Sequence, residues 1–401
     1  MIPSFLGFKY TFGGVHFLMK NSNNLSIKDS PPKKQIDYRF KLLYALGMIF
    51  IVAGHCNTGG ISLLYDWFHV YGFHLGLFIF CSGYFYSEKS EKSIPKYIAK
   101  KVKSLLIPLL IWNIFYGLIV SVFRNFGFTI GGEFNLHNIF IAPLIDGHQF
   151  GYNLSGWFVI PLFFTEILNV IFRKVLSFIT NPIKEYIIFF SYLVIGVFGV
   201  YLSNDGYNVN WWLALTRTMV FFPFFGAGIL YKKTLEKHDN LPNIFYFSII
   251  FSIQLLLILL YGIPLSYTMS WGIYDGIIRP FIIGYLGIAF WLRVCKILEP
   301  ILGRNKYVNL IADNTYSIMI NHFAGFMIIK LVYALFSKYT SLFGNFNMAA
   351  FKTDLWYYYT PRNIEQTLIF YLIAGIVFPI IVQKLLTLIK NKILTLKSKK
   401  S

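Results

Sequence analysis

Apolar segments of about 20 residues recur along almost the whole of this 401-residue chain, and this pattern limits its fold more than any other feature. An α-helix rises about 1.5 Å per residue, so such a segment crosses the hydrocarbon core of a bilayer. Only 13% of the residues are charged, compared with about 25% in soluble domains. The sequence therefore predicts an all-α, polytopic membrane protein and excludes a series of soluble domains.

A window of about 19 residues predicts about ten transmembrane helices. They lie near residues 41–59, 67–86, 105–123, 156–178, 184–202, 212–231, 243–263, 272–292, 314–336 and 365–388. The connecting segments are too short for a soluble catalytic domain. We therefore divide the chain into an N-terminal tail (1–36), one transmembrane domain (37–389) and a basic tail (390–401).

The connections between these segments alternate between basic and almost uncharged, and 36 Lys and Arg residues outnumber 17 Asp and Glu residues. The basic connections are 33–41, 89–103, 173–184, 232–237, 293–306 and 390–400. Because Lys and Arg favour cytoplasmic loops, this pattern predicts a plasma or inner membrane protein with both termini in the cytoplasm. Short basic clusters between apolar segments favour this topology over nucleic-acid binding.

The first 35 residues differ from the rest of the chain. Residues 1–18 are apolar but are interrupted by Pro and Gly, and they lack the order of a signal peptide. Residues 19–35 are polar and typical of a disordered cytoplasmic tail. We interpret Met19 as the true start of the protein and residues 1–18 as an upstream extension.

Two histidines inside apolar segments are candidates for catalysis, because ionisable residues are costly in a membrane. His55 follows Lys41 by 14 residues, or about 21 Å of helix, which places it in the outer half of the bilayer. A neutral imidazole there accepts a proton from a hydroxyl arriving from outside. His74, in the antiparallel second segment, is predicted at a similar depth. The alternative for both is a structural hydrogen bond.

Other polar residues of the apolar segments are candidates for a cavity. Glu166 lies near the middle of the fourth segment, and Arg217 enters the sixth from outside. Asp275 and Arg279 are four residues apart, a spacing that permits an ion pair and mutual neutralisation. The three cysteines are too few and scattered for a disulfide framework or a zinc site, so no metal is expected.

Three motifs occur in order near the N-terminus. LYALGMIFIVAGH ends at His55, FHLGLFIFCSGY contains His74, and KKVKSLLIP contains Lys101 and Lys103. They resemble the LKALAIILVVLGH, FHMPLFFFISGY and KKRIKRLLIP patterns of the acyltransferase-3 family of membrane proteins. Further on, LSGWFVIPLFF, RTMVFFPFFGAGILYKK and NTYSIMINH, which ends at His322, resemble later family motifs. The resemblance extends from about residue 37 to 388.

This resemblance implies a bundle of transmembrane helices that O-acylates a glycan. It implies an acyl donor, most simply acetyl-CoA used as a co-substrate, with His55 as general base and His74 or Arg217 orienting groups or stabilising an oxyanion. It implies no other bound cofactor. The partners are then membrane lipid and a glycan or lipid-linked saccharide acceptor, with no nucleic acid.

Two positions depart from the family pattern on the donor side. Tyr44 stands where the family usually has Arg or Lys, and Ser104 stands where a second Arg is common. We expect Arg39, Lys41, Lys101 or Lys103 to hold the acyl donor in their place. The alternative for these basic residues is that they only fix the topology.

The remaining functional alternative is a non-acylating protein of polysaccharide assembly, either a polymerase or a lipid-linked oligosaccharide flippase. Both share the number of spans and the aromatic outer loops. The loops 124–155 and 337–364 suit saccharide docking or an interfacial aromatic belt. A flippase needs charges along a continuous path, and a secondary transporter favours inverted repeats; neither is evident here.

Overall fold

The computed structural model describes residues 36–57, 66–179 and 184–398. These described residues are 78% helical and contain no β-strand. The helices are α1 (Tyr38–Gly54), α2 (His74–Tyr84), α3 (Ile94–Lys101), α4 (Ile107–Arg124), α5 (Ala142–Ile145), α6 (Val159–Ile179), α7 (Glu185–Asn204), α8 (Asn210–Leu230), α9 (Asn243–Tyr261), α10 (Arg279–Leu302), α11 (Lys306–Ala312), α12 (Thr315–Phe336), α13 (Met348–Thr353) and α14 (Leu368–Ser398). The interpretation of residues 1–18 as an extension lies outside the described residues.

Eight helical segments of the described chain are long and apolar enough to cross a membrane, which confirms the all-α polytopic fold. They are Ile94–Arg124, Leu154–Ile179, Glu185–Asn204, Asn210–His238, Asn243–Tyr261, Arg279–Leu302, Thr315–Phe336 and Glu365–Leu396. They correspond to the last eight predicted segments. α10 begins later than expected because Gly272 and Gly276 adopt positive φ angles of 61° and 78°, which keep the preceding backbone out of a helix.

The first two predicted segments form shorter helices. α1 has 17 residues and α2 has 11. At 1.5 Å per residue α2 is only about 16 Å long, so it does not cross a core of about 30 Å alone. A short 3-10 turn, Val70–Gly72, precedes it in place of a longer helix. His74 is therefore the first residue of α2.

α1 is the central helix of the bundle. Thirteen of its 17 residues are buried, and it packs against α2, α10, α11, α12 and α14. A helix that is apolar on every face is stable only when surrounded by other helices or lipid. α9, by contrast, lies at the edge of the bundle, because only 17% of its span is buried inside the protein. The central position of α1 carries its C-terminal end, and His55, into the interior.

α2 is held beside α1 by close contact with α8. A Cβ atom at Gly83 would overlap the carbonyl oxygen of Phe225, and one at Gly228 would overlap that of Phe80. Small residues allow the backbones of membrane helices to approach in this way. Glycine at these two positions therefore fixes the distance between α2 and α8.

Ion pairs join the helix termini at one end of the bundle, which we call the basic end. The Arg173 guanidinium, only 1% exposed, contacts the carboxylates of Glu88, Glu91 and Glu185. Arg293 pairs with Asp239. The C-terminal end of α1 and the first residue of α2 lie at the opposite end of the bundle.

Candidate active site

His55 follows the last residue of α1. Its backbone N–H donates to the carbonyl oxygens of Ile51 and Val52, each at 3.2 Å. Asn57 then adopts a positive φ of 80°, so the chain turns away from the helix axis. His55 is therefore fixed by backbone hydrogen bonds at the C-terminal end of α1.

Two tyrosine hydroxyls satisfy backbone carbonyls at this helix end. The hydroxyl of Tyr71 donates to the carbonyl of Gly54 at 2.7 Å, and that of Tyr358 donates to the carbonyl of His55. Helix C-termini leave such carbonyls without partners inside the helix. The two contacts hold the backbone that carries the His55 ring.

His322 of α12 determines which nitrogen of the His55 ring carries a proton. Its Nδ1 lies 3.0 and 2.9 Å from the carbonyl oxygens of Ile318 and Met319. Carbonyl oxygens only accept, so this Nδ1 is the donor and the Nε2 of a neutral His322 is an acceptor. This Nε2 lies 3.2 Å from Nδ1 of His55. His55 therefore donates from Nδ1 and presents an unprotonated Nε2, the atom that a general base needs.

His74 lies close to His55 without replacing His322 as its partner. Nδ1 of His74 donates to the carbonyl oxygen of Val70 at 2.5 Å. The Tyr71 ring contacts both histidines, with centroids 5.3 Å from His74 and 6.3 Å from His55. The structure thus brings together the two histidines singled out in the sequence.

Two adjoining cavities meet at His55. The narrow cavity, of about 520 Å³, is lined mainly by apolar and aromatic side chains that include Ile51, Leu75 and Phe78, together with His74. The wide cavity, of about 1110 Å³, is more polar and contains three tryptophans. His55 lines both cavities, so its ring lies where contents of the two would meet.

The four basic residues expected on the donor side lie away from these cavities. Arg39 pairs with Asp37 and Glu236, both at 2.6 Å, and Lys41 pairs with Asp313. The buried Lys101 pairs with Glu166 at 2.5 Å. Lys103 is exposed. None of the four side chains lines either cavity.

Lys103 and Ser104 lie in an irregular part of the third motif. Residues Val102–Leu106 form a π-helical turn between α3 and α4. The Tyr316 hydroxyl of α12 donates to the carbonyl of Leu105, at 3.2 Å, within this turn. Such turns frequently occur at functional sites. Tyr44, the other departure from the family pattern, is buried beside Phe78, with ring centroids 5.8 Å apart.

The other polar candidates occupy three different surroundings. Glu166 is engaged by Lys101, as above. Arg217 is buried behind the wall of the wide cavity, with its guanidinium 4.5 Å from the centroid of Trp157. Asp275 and Arg279 form the expected ion pair, but Asp275 is 77% exposed and precedes α10. None of these four lines either cavity.

His322 is a further candidate residue of this site, and the sequence alone gives it no role. It ends the NTYSIMINH motif and is an ionisable residue inside an apolar span, the same signal that identified His55. Trp356 belongs to the aromatic loop 337–364, and its ring centroid lies 6.0 Å from that of His55. The described residues contain no cluster of three His, Cys, Asp or Glu side chains that could hold a metal ion.

Fold and site together define a polytopic membrane protein with a hydrogen-bonded pair of histidines, His55 and His322, where two cavities adjoin. The sequence model of the acyltransferase-3 acyltransferase domain matches residues 37–382. The chain belongs to this family and is a membrane acyltransferase. Searches of curated proteins and of solved structures found no match.

Proposed function

We propose that the protein transfers an acetyl group from acetyl-CoA to a hydroxyl of an extracytoplasmic or lipid-linked glycan, with His55 as general base. The observation that carries this proposal is the 3.2 Å contact between Nδ1 of His55 and Nε2 of His322 at the junction of the two cavities, from which we infer an unprotonated Nε2 on His55. A polar cavity suits a hydroxyl acceptor, and a narrow apolar cavity suits the thioester end of the donor.

The reaction proceeds by attack of the acceptor oxygen on the thioester carbonyl. Nε2 of His55 takes the hydroxyl proton as the new C–O bond forms. The C–S bond then breaks, and the imidazolium returns the proton to the coenzyme thiolate. While His55 is charged, its Nδ1–H to Nε2 hydrogen bond with His322 becomes charge-assisted and stronger.

The donor enters from the basic end in this proposal, and the acceptor enters from the opposite end. Lys103 is exposed near the basic end and offers a point charge for coenzyme phosphates. Positive-inside counting makes the basic end cytoplasmic in a plasma or inner membrane. Acetyl groups would thus pass from a cytoplasmic donor to an external glycan.

Comparing glycans from cells with and without the gene tests this function. We expect acetyl esters on the envelope polysaccharide of the first cells and their loss from the second, measured by mass before and after mild alkali. Polysaccharide that is unchanged in acetylation but altered in length or amount would instead support a polymerase or flippase.

The proposed sidedness predicts the labelling of an introduced cysteine. Asn57→Cys, in a protein with Cys56 and Cys81 replaced by Ser and activity confirmed, should react with a membrane-impermeant maleimide added outside. The reaction should stop acylation, because Asn57 lies two residues from His55. Lys103→Cys in the same background is the control and should react only from the cytoplasmic side. The reverse pattern would invert the direction of the reaction.

A further inference from the structure

The lining of the wide cavity has the chemistry of a carbohydrate site. Trp157, Trp271 and Trp356 supply flat apolar faces. Hydroxyl and imidazole groups lie among them, from Ser155, Ser266, Thr268, Ser270, Tyr71, His69 and His148. Among the described residues, no Asp, Glu, Lys or Arg lines this cavity. A ligand for such a surface has both apolar faces and many neutral hydroxyls, as a pyranose ring does.

Two polar atoms in this lining are available to a ligand. Oγ of Ser155 and Nδ1 of His148 are buried, and neither has a hydrogen-bond partner among the described residues. Unsatisfied buried polar atoms are costly, and two that face one cavity suit a ligand or water that bonds to them. Burial and the nearby charge of Arg217 lower the pKa of His148 to about 3, so its ring is neutral at pH 7. A neutral imidazole bonds a sugar hydroxyl as donor or acceptor.

Arg217 holds three parts of this cavity wall in place. Its Nη1 donates to the carbonyl of Asp146 at 3.0 Å, two residues before His148. Its Nη2 donates to the carbonyl of Ser270, beside Trp271. The guanidinium also stacks on Trp157. The guanidinium of Arg217 thus contacts the residues that form the cavity wall. Arg217 therefore acts as a positioning residue and does not contact the reacting atoms.

We propose that the wide cavity is the saccharide-binding subsite of this acyltransferase. A sugar ring stacks on Trp356, whose centroid is 6.0 Å from His55, and thereby presents a hydroxyl to Nε2 of His55. Trp271, which contacts the His148 ring at 4.4 Å, supports a neighbouring part of the glycan chain. This inference rests on the proposed function for the identity of the reaction, but the binding site is testable without any acyl transfer.

Binding is measured with full-length protein in nanodiscs. The ligand is envelope polysaccharide from cells that lack the gene, treated with alkali and labelled with a fluorophore. Trp271→Ala and Trp356→Ala should each weaken binding by about tenfold. Trp271→Phe should retain most of the affinity because a flat ring remains. Trp211→Ala is the matched control, since Trp211 is 56% exposed and does not line the cavity. Wild-type protein that does not retain the polysaccharide, or alanine variants that bind it as well as wild type, would overturn the subsite.

A transfer assay with the same variants separates this inference from the proposed function. With labelled acetyl-CoA, Trp271→Ala should raise the apparent KM for polysaccharide about tenfold and leave that for acetyl-CoA unchanged. Arg217→Lys should also raise the KM for polysaccharide more than it lowers kcat, because the wall loses its fork-shaped donor. An equal rise in the KM of both substrates in Trp271→Ala, whose side chain lines only the wide cavity, would contradict the subsite. Polysaccharide binding that depends on the tryptophans, without any transfer, would leave the subsite standing and refute the proposed function.

Discussion

Replacing His55 by alanine is expected to lower acetyl transfer to the glycan by about 10²–10⁴-fold, the usual loss when a general base is removed. The residue follows the last residue of α1 rather than packing within the helix, so a smaller side chain there should leave the bundle intact. The loss should therefore fall on kcat, with little change in the amount of protein in the membrane. Initial rates with labelled acetyl-CoA and de-acetylated polysaccharide measure it.

His137→Ala is the matched control for this experiment, because His137 is exposed in the loop after α4 and lines neither cavity. It should keep wild-type activity. Near wild-type transfer by the His55→Ala protein would show that another group removes the hydroxyl proton.

Replacing His322 by alanine should give the second largest loss. Without its Nε2 acceptor, Nδ1 of His55 has no partner on α12 to fix the tautomer. Losing the partner that orients a metal-binding histidine typically costs about 10–100-fold, and we expect a loss of the same order here. We expect kcat to fall while the KM values for both substrates remain close to wild type.

A conservative variant distinguishes this positioning role from a general loss of packing. His322→Gln keeps an amide oxygen that can accept from Nδ1 of His55, so it should recover part of the activity that His322→Ala loses. Similar activity of the two variants at similar membrane levels would contradict the tautomer argument. Greater loss in His322→Ala than in His55→Ala would make His322 the base.

The sequence predicted the parts of the fold that depend on local hydropathy. The last eight apolar segments form the helices long enough to cross a membrane. It overestimated α2, because apolar composition continues through residues 67–73 although the backbone there forms only a short 3-10 turn. A window average measures the hydropathy of a segment but not its backbone conformation.

The sequence predicted only those site residues that stand out individually, as an ionisable side chain does in an apolar segment. His55 and His74 stood out as ionisable residues in apolar segments. The bond between His55 and His322 joins residues 267 positions apart, and no local pattern indicates such a contact. The acidic partners of Arg39, Lys41 and Lys101 also include residues from distant helices. Basic residues that a sequence presents as free charges are therefore partly neutralised in the fold.

The most direct measurement of the central claim uses the purified protein in liposomes, with labelled acetyl-CoA supplied at the basic end and de-acetylated polysaccharide at the opposite end. The orientation of the protein is determined beforehand in separate liposomes by labelling Lys237→Cys, an exposed position at the basic end that takes no part in the proposed site. We expect label to appear in the polysaccharide as an alkali-labile ester, at a rate abolished by His55→Ala. Acetyl-CoA that is not consumed by the wild-type protein, or equal transfer by His55→Ala, would contradict acetyl transfer through His55.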